Sequence, residues 1–231
     1  MSQKNKLILA LDVPDIQKAD YLIQETAEYV GYYKIGLGFL AQNGIEFARQ
    51  LVKQGHKIFL DLKLFDISQT ISDAVARLAD TGVHIMTVQG DPYVVQAAVK
   101  GRYLAGRTDL DIYAVTILTS LNEIDIRGAG YHGSVQDVVL ERAKQASFVG
   151  ADGVIASGLE CRAIKANGWG LKVITPGIRT LNSQQHDQKR TMTAQQALLE
   201  GADHLVIGRD ITAAESPKQA AQAILSLIEA A

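Results

Sequence analysis

Asp61, Lys63 and Asp66 stand in the run from Lys57 to Thr70, an apolar stretch typical of a buried strand that suddenly carries three charges. Side chains alternate faces along an extended strand, so Asp61 and Lys63, two apart, project from the same side. Phe59 continues that row, while Leu60, Leu62 and Leu64 take the other. A carboxylate and an ammonium then share one enclosed space. Burying either alone costs roughly several kcal/mol, and a pair does not reliably recover that penalty, so stability is a poor reason for placing them there. Function is the better reason, because fixed charges in an enclosed site act on charge that develops in a substrate. A satisfied ion pair at a strand end would account for this stretch alone, and the rest of the chain has to decide.

Composition narrows the choice. The chain has 231 residues, 47% hydrophobic and 21% charged, with 23 Lys plus Arg against 25 Asp plus Glu and a net charge of -2. That supplies ample material for a core and no basic excess to recommend nucleic acid or an anionic membrane as partner. A small, locally recognised ligand fits better. Cys161 is the only cysteine, so no internal disulfide can form, and the five histidines (His56, His84, His132, His186 and His204) show no i, i+4 pairing suited to a metal. The apolar run before Asp12 is too short for a signal peptide core, and no stretch approaches the roughly 20 apolar residues of a membrane span. The expectation is a soluble cytoplasmic protein with no metal site.

The elements that must position the charges repeat. Leu7 to Asp12 reads as a buried strand, followed by an amphipathic helix to Val30 in which Ile16, Ala19, Leu22 and Ile23 recur at helical spacing. Further strands are expected at Tyr32–Leu37, Ile58–Leu62, Val83–Val88, Ile112–Leu118, Gly153–Ser157, Leu171–Thr175 and His204–Ile207. The helices between them begin near Phe39, Ile67, Pro92, Val135, Leu159, Ala194 and Pro217, the first of these running to Gln54. A Gly-rich segment, Leu121 to Ser134, interrupts the fifth unit, and long insertions of this kind often cover a site. Eight strand-helix units with nearly continuous apolar strands match a closed (β/α)8 TIM barrel, an α/β fold in a single domain, better than an open doubly wound sheet. No Gly-x-Gly-x-x-Gly follows the first strand.

In such barrels the active site lies at the C-terminal ends of the strands. Charge recurs there: Asp12 ends strand one, Lys34 lies within strand two, Asp61 and Lys63 end strand three, and Arg209 follows strand eight. Randomly scattered salt bridges would not select one mouth. After strand eight, Gly208 lets backbone N–H groups approach an anion and Arg209 supplies a guanidinium fork; after strand seven comes Pro176-Gly177-Ile178-Arg179. Loops after strands seven and eight are the usual phosphate seat of this fold, so a phosphorylated substrate is expected. The polar loop at about residues 180–192 is a candidate lid.

With these residues in place, the chain resembles the orotidine 5'-phosphate decarboxylase family over essentially its full length. The match comprises Leu9-Ala10-Leu11-Asp12, Tyr33-Lys34-Ile35-Gly36, the run Asp61 to Thr70, Val115 to Ser120, Val173 to Arg179, Asp187-Gln188 and Ile207-Gly208-Arg209. The Asp-x-Lys-x-x-Asp element alone is shared with related barrel enzymes acting on sugar phosphates. Lys34 separates them, because the metal-dependent relatives typically carry a carboxylate at that position to help bind magnesium, and a lysine repels a cation.

The resemblance implies a cofactor-free decarboxylation of orotidine 5'-phosphate to UMP and CO2, with Lys34, Asp61, Lys63 and Asp66 as an alternating-charge array. It places Asp66 in the neighbouring subunit's site, in a homodimer. Lys63 would stabilise the carbanion left at C6 and then protonate it, and Asp61 would repel the substrate carboxylate. Lys34, Asp66 and Asp12 would reach ribose hydroxyls. The family pattern also puts Thr119 at the pyrimidine, Thr70 at the ribose across the dimer interface, and Arg179, Gln188, Gly208 and Arg209 around the phosphate. The sequence departs from that pattern at Phe65 and Gln89, where histidine is usual, and at Ser68, where proline is usual. Cys161 and Trp169 read as core or surface residues. Two other readings stay open: a magnesium-dependent lyase on a ketose phosphate, and an inactive barrel kept for nucleotide binding.

Overall fold

Eight strands hydrogen-bond side by side, all parallel, and the last pairs with the first, so the sheet closes on itself. The computed structural model describes residues 2–179 and 190–231. The barrel strands are β1 (Leu7–Ala10), β2 (Tyr32–Gly36), β3 (Ile58–Leu64), β4 (Ile85–Gln89), β5 (Asp111–Val115), β6 (Gly153–Ile155), β7 (Lys172–Thr175) and β10 (His204–Ile207). Two short strands, β8 (Ile178–Arg179) and β9 (Met192–Thr193), pair separately between β7 and β10. The TIM barrel expected from the alternation of apolar runs is the observed fold.

Alternation along each strand divides the core in two. Ile8, Phe59, Ile85, Tyr113 and Ile174 form a cluster of their own inside the barrel. Their neighbours one residue along, such as Leu7, Leu9, Ile58, Leu60 and Ile112, belong to the larger cluster between strands and helices. Tyr113 fills the interior so tightly that a Cβ on Gly153 would meet its Cε1 at 2.3 Å, which explains a glycine at the start of the apolar strand β6. This inner layer reaches the mouth of the barrel, where Phe59 and Ile174 line the cavity.

The local differences from expectation have local causes. The helix expected from Phe39 to Gln54 is split into a 3-10 turn, Leu37–Gln42, and a helix, Gly44–Lys53, because Asn43 takes a left-handed conformation with φ 62°. Asparagine tolerates that region better than most residues. The Gly-rich segment contains a helix, Glu123–Gly128, started by a reciprocal cap in which Asn122 accepts from Asp125 N and the Asp125 carboxylate accepts from Asn122 N. The lining of the central cavity includes Leu118, Thr119 and Ser120 but none of residues 121–134. Among the described residues no helix is long and apolar enough to cross a membrane.

Candidate active site

A cavity of about 500 Å3 opens at the C-terminal mouth of the barrel. Asp12, Lys34, Asp61, Lys63, Thr119, Arg179, Gly208 and Arg209 all line it, so eight of the residues singled out from sequence meet in one space. Asp66 and Thr70 do not. Both are exposed, Asp66 just before the helix Ser68–Ala79 and Thr70 in its first turn, in a stretch where Phe65 and Ile67 are also 60% and 69% exposed. Gln188 and most of the candidate lid lie outside the described residues.

The charges form a chain across the mouth. Lys34 Nζ lies 3.0 and 3.2 Å from the two carboxylate oxygens of Asp12 and 3.5 Å from Asp61 Oδ2. Lys63 Nζ donates to the same Oδ2 at 2.7 Å. Lys34 and Asp61 are buried, and Asp12 faces solvent. Burial pushes the Asp61 carboxyl up, but the charges of Lys34 and Lys63, with hydrogen bonds from Lys63 and Thr87, outweigh it and hold the group below the usual carboxylate range. The site thus keeps an ionised carboxylate between two ammonium groups. Gly36 makes room for this: a Cβ there would stand 3.2 Å from Asp12 Oδ1 and 3.3 Å from Lys34 Nζ.

Lys63 is the point where the simple strand picture fails. Its φ of 49° is left-handed, unusual for a residue with a side chain, and the register between β3 and β4 shifts between Leu60 and Leu64. Its N–H donates to the Thr87 hydroxyl at 3.0 Å, and that hydroxyl donates to Asp61 Oδ1 at 2.9 Å. Thr87 was not singled out from sequence. The available signal is parity: it sits two residues after inward-facing Ile85, so a polar side chain there must face the interior.

After β7, Arg179 follows Gly177, whose φ of 77° makes the turn. Arg179 Nη1 donates to the Ile178 carbonyl at 3.2 Å, while Nη2 is buried with no hydrogen-bond partner among the described residues. A buried guanidinium donor at a cavity wall is satisfied by an anionic guest. Arg209 begins the short helix after β10, and a Cβ on Gly208 would meet only Ala10 Cβ, at 3.7 Å, so the backbone there is open to the cavity. Sequence reasoning also missed Arg190. It pairs at 2.5 Å with Glu160, buried under the start of the helix Gly158–Ala166, and reaches the carbonyls of Ile117 and Leu118 at 3.5 and 3.4 Å. It therefore ties the chain just after residue 189 to the loop that carries Thr119. Cys161 is buried, its thiol pushed up to about 11 chiefly by that burial, as befits a core residue.

The model of the orotidine 5'-phosphate decarboxylase / HUMPS family matches residues 5–224. The chain belongs to that family. Among curated members, it is 44% identical to the orotidine 5'-phosphate decarboxylase of Nitrobacter winogradskyi over 223 residues, covering 96% of this chain and 92% of the relative. It is 45% identical to that of Ruegeria pomeroyi over 230 residues, covering 98% and 95%. The crystal structure of orotidine 5'-phosphate decarboxylase from Lactobacillus acidophilus superposes with a TM-score of 0.83 at 32% identity, covering 96% of this chain and 98% of that one. Family membership and the closed barrel agree with the resemblance drawn from the motifs.

Proposed function

We infer that the protein decarboxylates orotidine 5'-phosphate to UMP and CO2, without a cofactor, in pyrimidine nucleotide synthesis. The observation that carries this reading is the chain Asp12–Lys34–Asp61–Lys63 lining a cavity that Arg179 and Arg209 also line. Arg179, Arg209 and the backbone at Gly208 hold the phosphate, with Gln188 beside them, and Thr119 meets the pyrimidine. The ring carboxylate then lies at the lysine end, next to Asp61, whose ionised oxygens repel it more before CO2 leaves than after. When the C6–carboxylate bond breaks, its electron pair stays on C6, where the Lys63 ammonium stabilises it and then supplies the proton. Solvent restores the proton to Lys63. Lys34 and Asp12 reach the ribose hydroxyls, and Lys34 together with Lys63 keeps Asp61 ionised.

We further propose a homodimer in which Asp66 and Thr70 complete the site of the partner subunit. Their absence from their own chain's cavity supports this, as does the exposed apolar face formed by Phe65, Ile67 and Tyr93 around them. The working compartment is the cytoplasm, in keeping with a single buried thiol and a small phosphorylated substrate. A magnesium-dependent lyase on a ketose phosphate requires carboxylates around a cation, yet among the described residues no three acidic, histidine or cysteine side chains are grouped to hold one. The direct test is to incubate the protein with orotidylate and identify products. UMP and CO2 in equal amounts support the reading, and no conversion by folded protein defeats it.

A further inference from the structure

Thr87 is fully buried in β4 and does not line the cavity, yet its hydroxyl touches both halves of the central charge pair. The direction of each hydrogen bond is fixed by chemistry. The Lys63 amide can only donate, at 3.0 Å, and an ionised Asp61 can only accept, at 2.9 Å, so the single hydroxyl proton is committed to Asp61 Oδ1. With Oδ1 so engaged, Oδ2 is the oxygen turned to the ammonium groups of Lys63 at 2.7 Å and Lys34 at 3.5 Å. The register shift between Leu60 and Leu64 means that the Lys63 N–H bonds to a side chain rather than to a ladder carbonyl. One oxygen atom therefore sets the rotation of the Asp61 carboxylate and the backbone position of Lys63, at the residue with left-handed φ 49°.

We propose that Thr87 is a positioning residue for the decarboxylation: through its hydroxyl it holds Asp61 and Lys63 in the relative orientation the chemical step needs, without touching the substrate. This rests on the reading given under Proposed function. Its signature is a loss confined to the chemical step, because ribose and phosphate binding are carried by other residues around the cavity.

The test is Thr87→Val, which keeps the branched shape and removes only the hydroxyl, beside Thr87→Ser, which keeps the hydroxyl. Turnover of orotidylate by wild type is measured first, so that failure of the decarboxylase reading is seen separately. We expect kcat of Thr87→Val to fall about a hundredfold, the scale of a small misplacement of reacting groups, with KM within about threefold of wild type. The acid limb of its kcat profile should move to higher pH, because Asp61 has lost a donor to its ionised form. Thr87→Ser should restore both rate and profile. If Thr87→Val does not fold, Thr87→Ala makes the same comparison. A hydroxyl-free variant with wild-type kcat and pH profile overturns the proposal, as does failure of both to fold, which would make the hydroxyl a structural requirement only.

Discussion

Lys63 Nζ lies 2.7 Å from Asp61 Oδ2, two residues back on the same strand, and the backbone at Lys63 is left-handed, with φ 49°. A non-glycine residue in that region costs about 1–3 kcal/mol unless its surroundings hold it there. Here they do, through the Thr87 hydroxyl on the Lys63 N–H and the Asp61 carboxylate on its ammonium. The conformation that stores strain is therefore at the residue assigned the proton transfer.

Lys63→Ala should lose nearly all turnover of orotidylate and keep its fold, since it deletes the stabilising charge and the proton source together. Steady-state rates beside circular dichroism check this. A folded variant within about tenfold of wild type, a change of roughly 1.4 kcal/mol in the barrier, would show that Lys63 is not the acid.

Arg209→Ala should lower kcat/KM for orotidylate by about 2–3 kcal/mol, the scale of a charge-assisted contact, and hardly affect the phosphate-free nucleoside. Comparing the two substrates in one variant isolates the phosphate. Equal losses would place Arg209 away from it.

Stability should fall on mild acidification because of His204. This residue is 3% exposed, its Nδ1 lies 2.8 Å from the Asn5 carbonyl oxygen, and burial holds its pKa below 6.5 against the pull of that carbonyl. The unfolded chain then takes up the proton more readily, so the contribution of His204 is complete above pH 6.5 and is lost as pH falls from 6.5 through the lower folded value. Burial shifts His56 and His84 in the same direction. Melting temperatures between about pH 7 and pH 5 should decline, and less steeply in His204→Gln. Parallel slopes for the two proteins would remove His204 from the account.

Lys63→Ala and Asp66→Asn chains, each nearly inactive alone, should recover activity when co-expressed. If sites are shared, one site of each mixed dimer inherits both lesions and the other neither, so activity should approach roughly a quarter of wild type when half the dimers are mixed. No recovery, with mixed dimers confirmed by mass, would confine Asp66 to its own barrel.

The barrel was legible because each strand is an apolar run between turn residues, and the mouth because charge recurs where those runs end. Asp12, Lys34, Asp61 and Lys63 could be read as neighbours without coordinates, since a closed barrel brings the strand ends together. What stayed hidden depends on contacts between distant residues or on single backbone angles. Nothing in Leu62-Lys63-Leu64 signals a left-handed lysine. Thr87 looks like any β-branched strand residue until β4 is set beside β3, and Glu160 and Arg190, thirty residues apart, meet only in the folded chain. The break at Asn43 escaped because apolar periodicity runs across it, from Phe39 to Phe47, whose rings stack at 5.9 Å.

The central claim is that fixed side-chain charges, with no metal, remove CO2 from orotidylate. The measurement that tests it most directly is the initial rate on orotidylate, followed at its ultraviolet band, before and after exhaustive treatment with EDTA. The account predicts conversion to UMP at an unchanged rate. Loss of turnover in EDTA, restored by added magnesium, would contradict it.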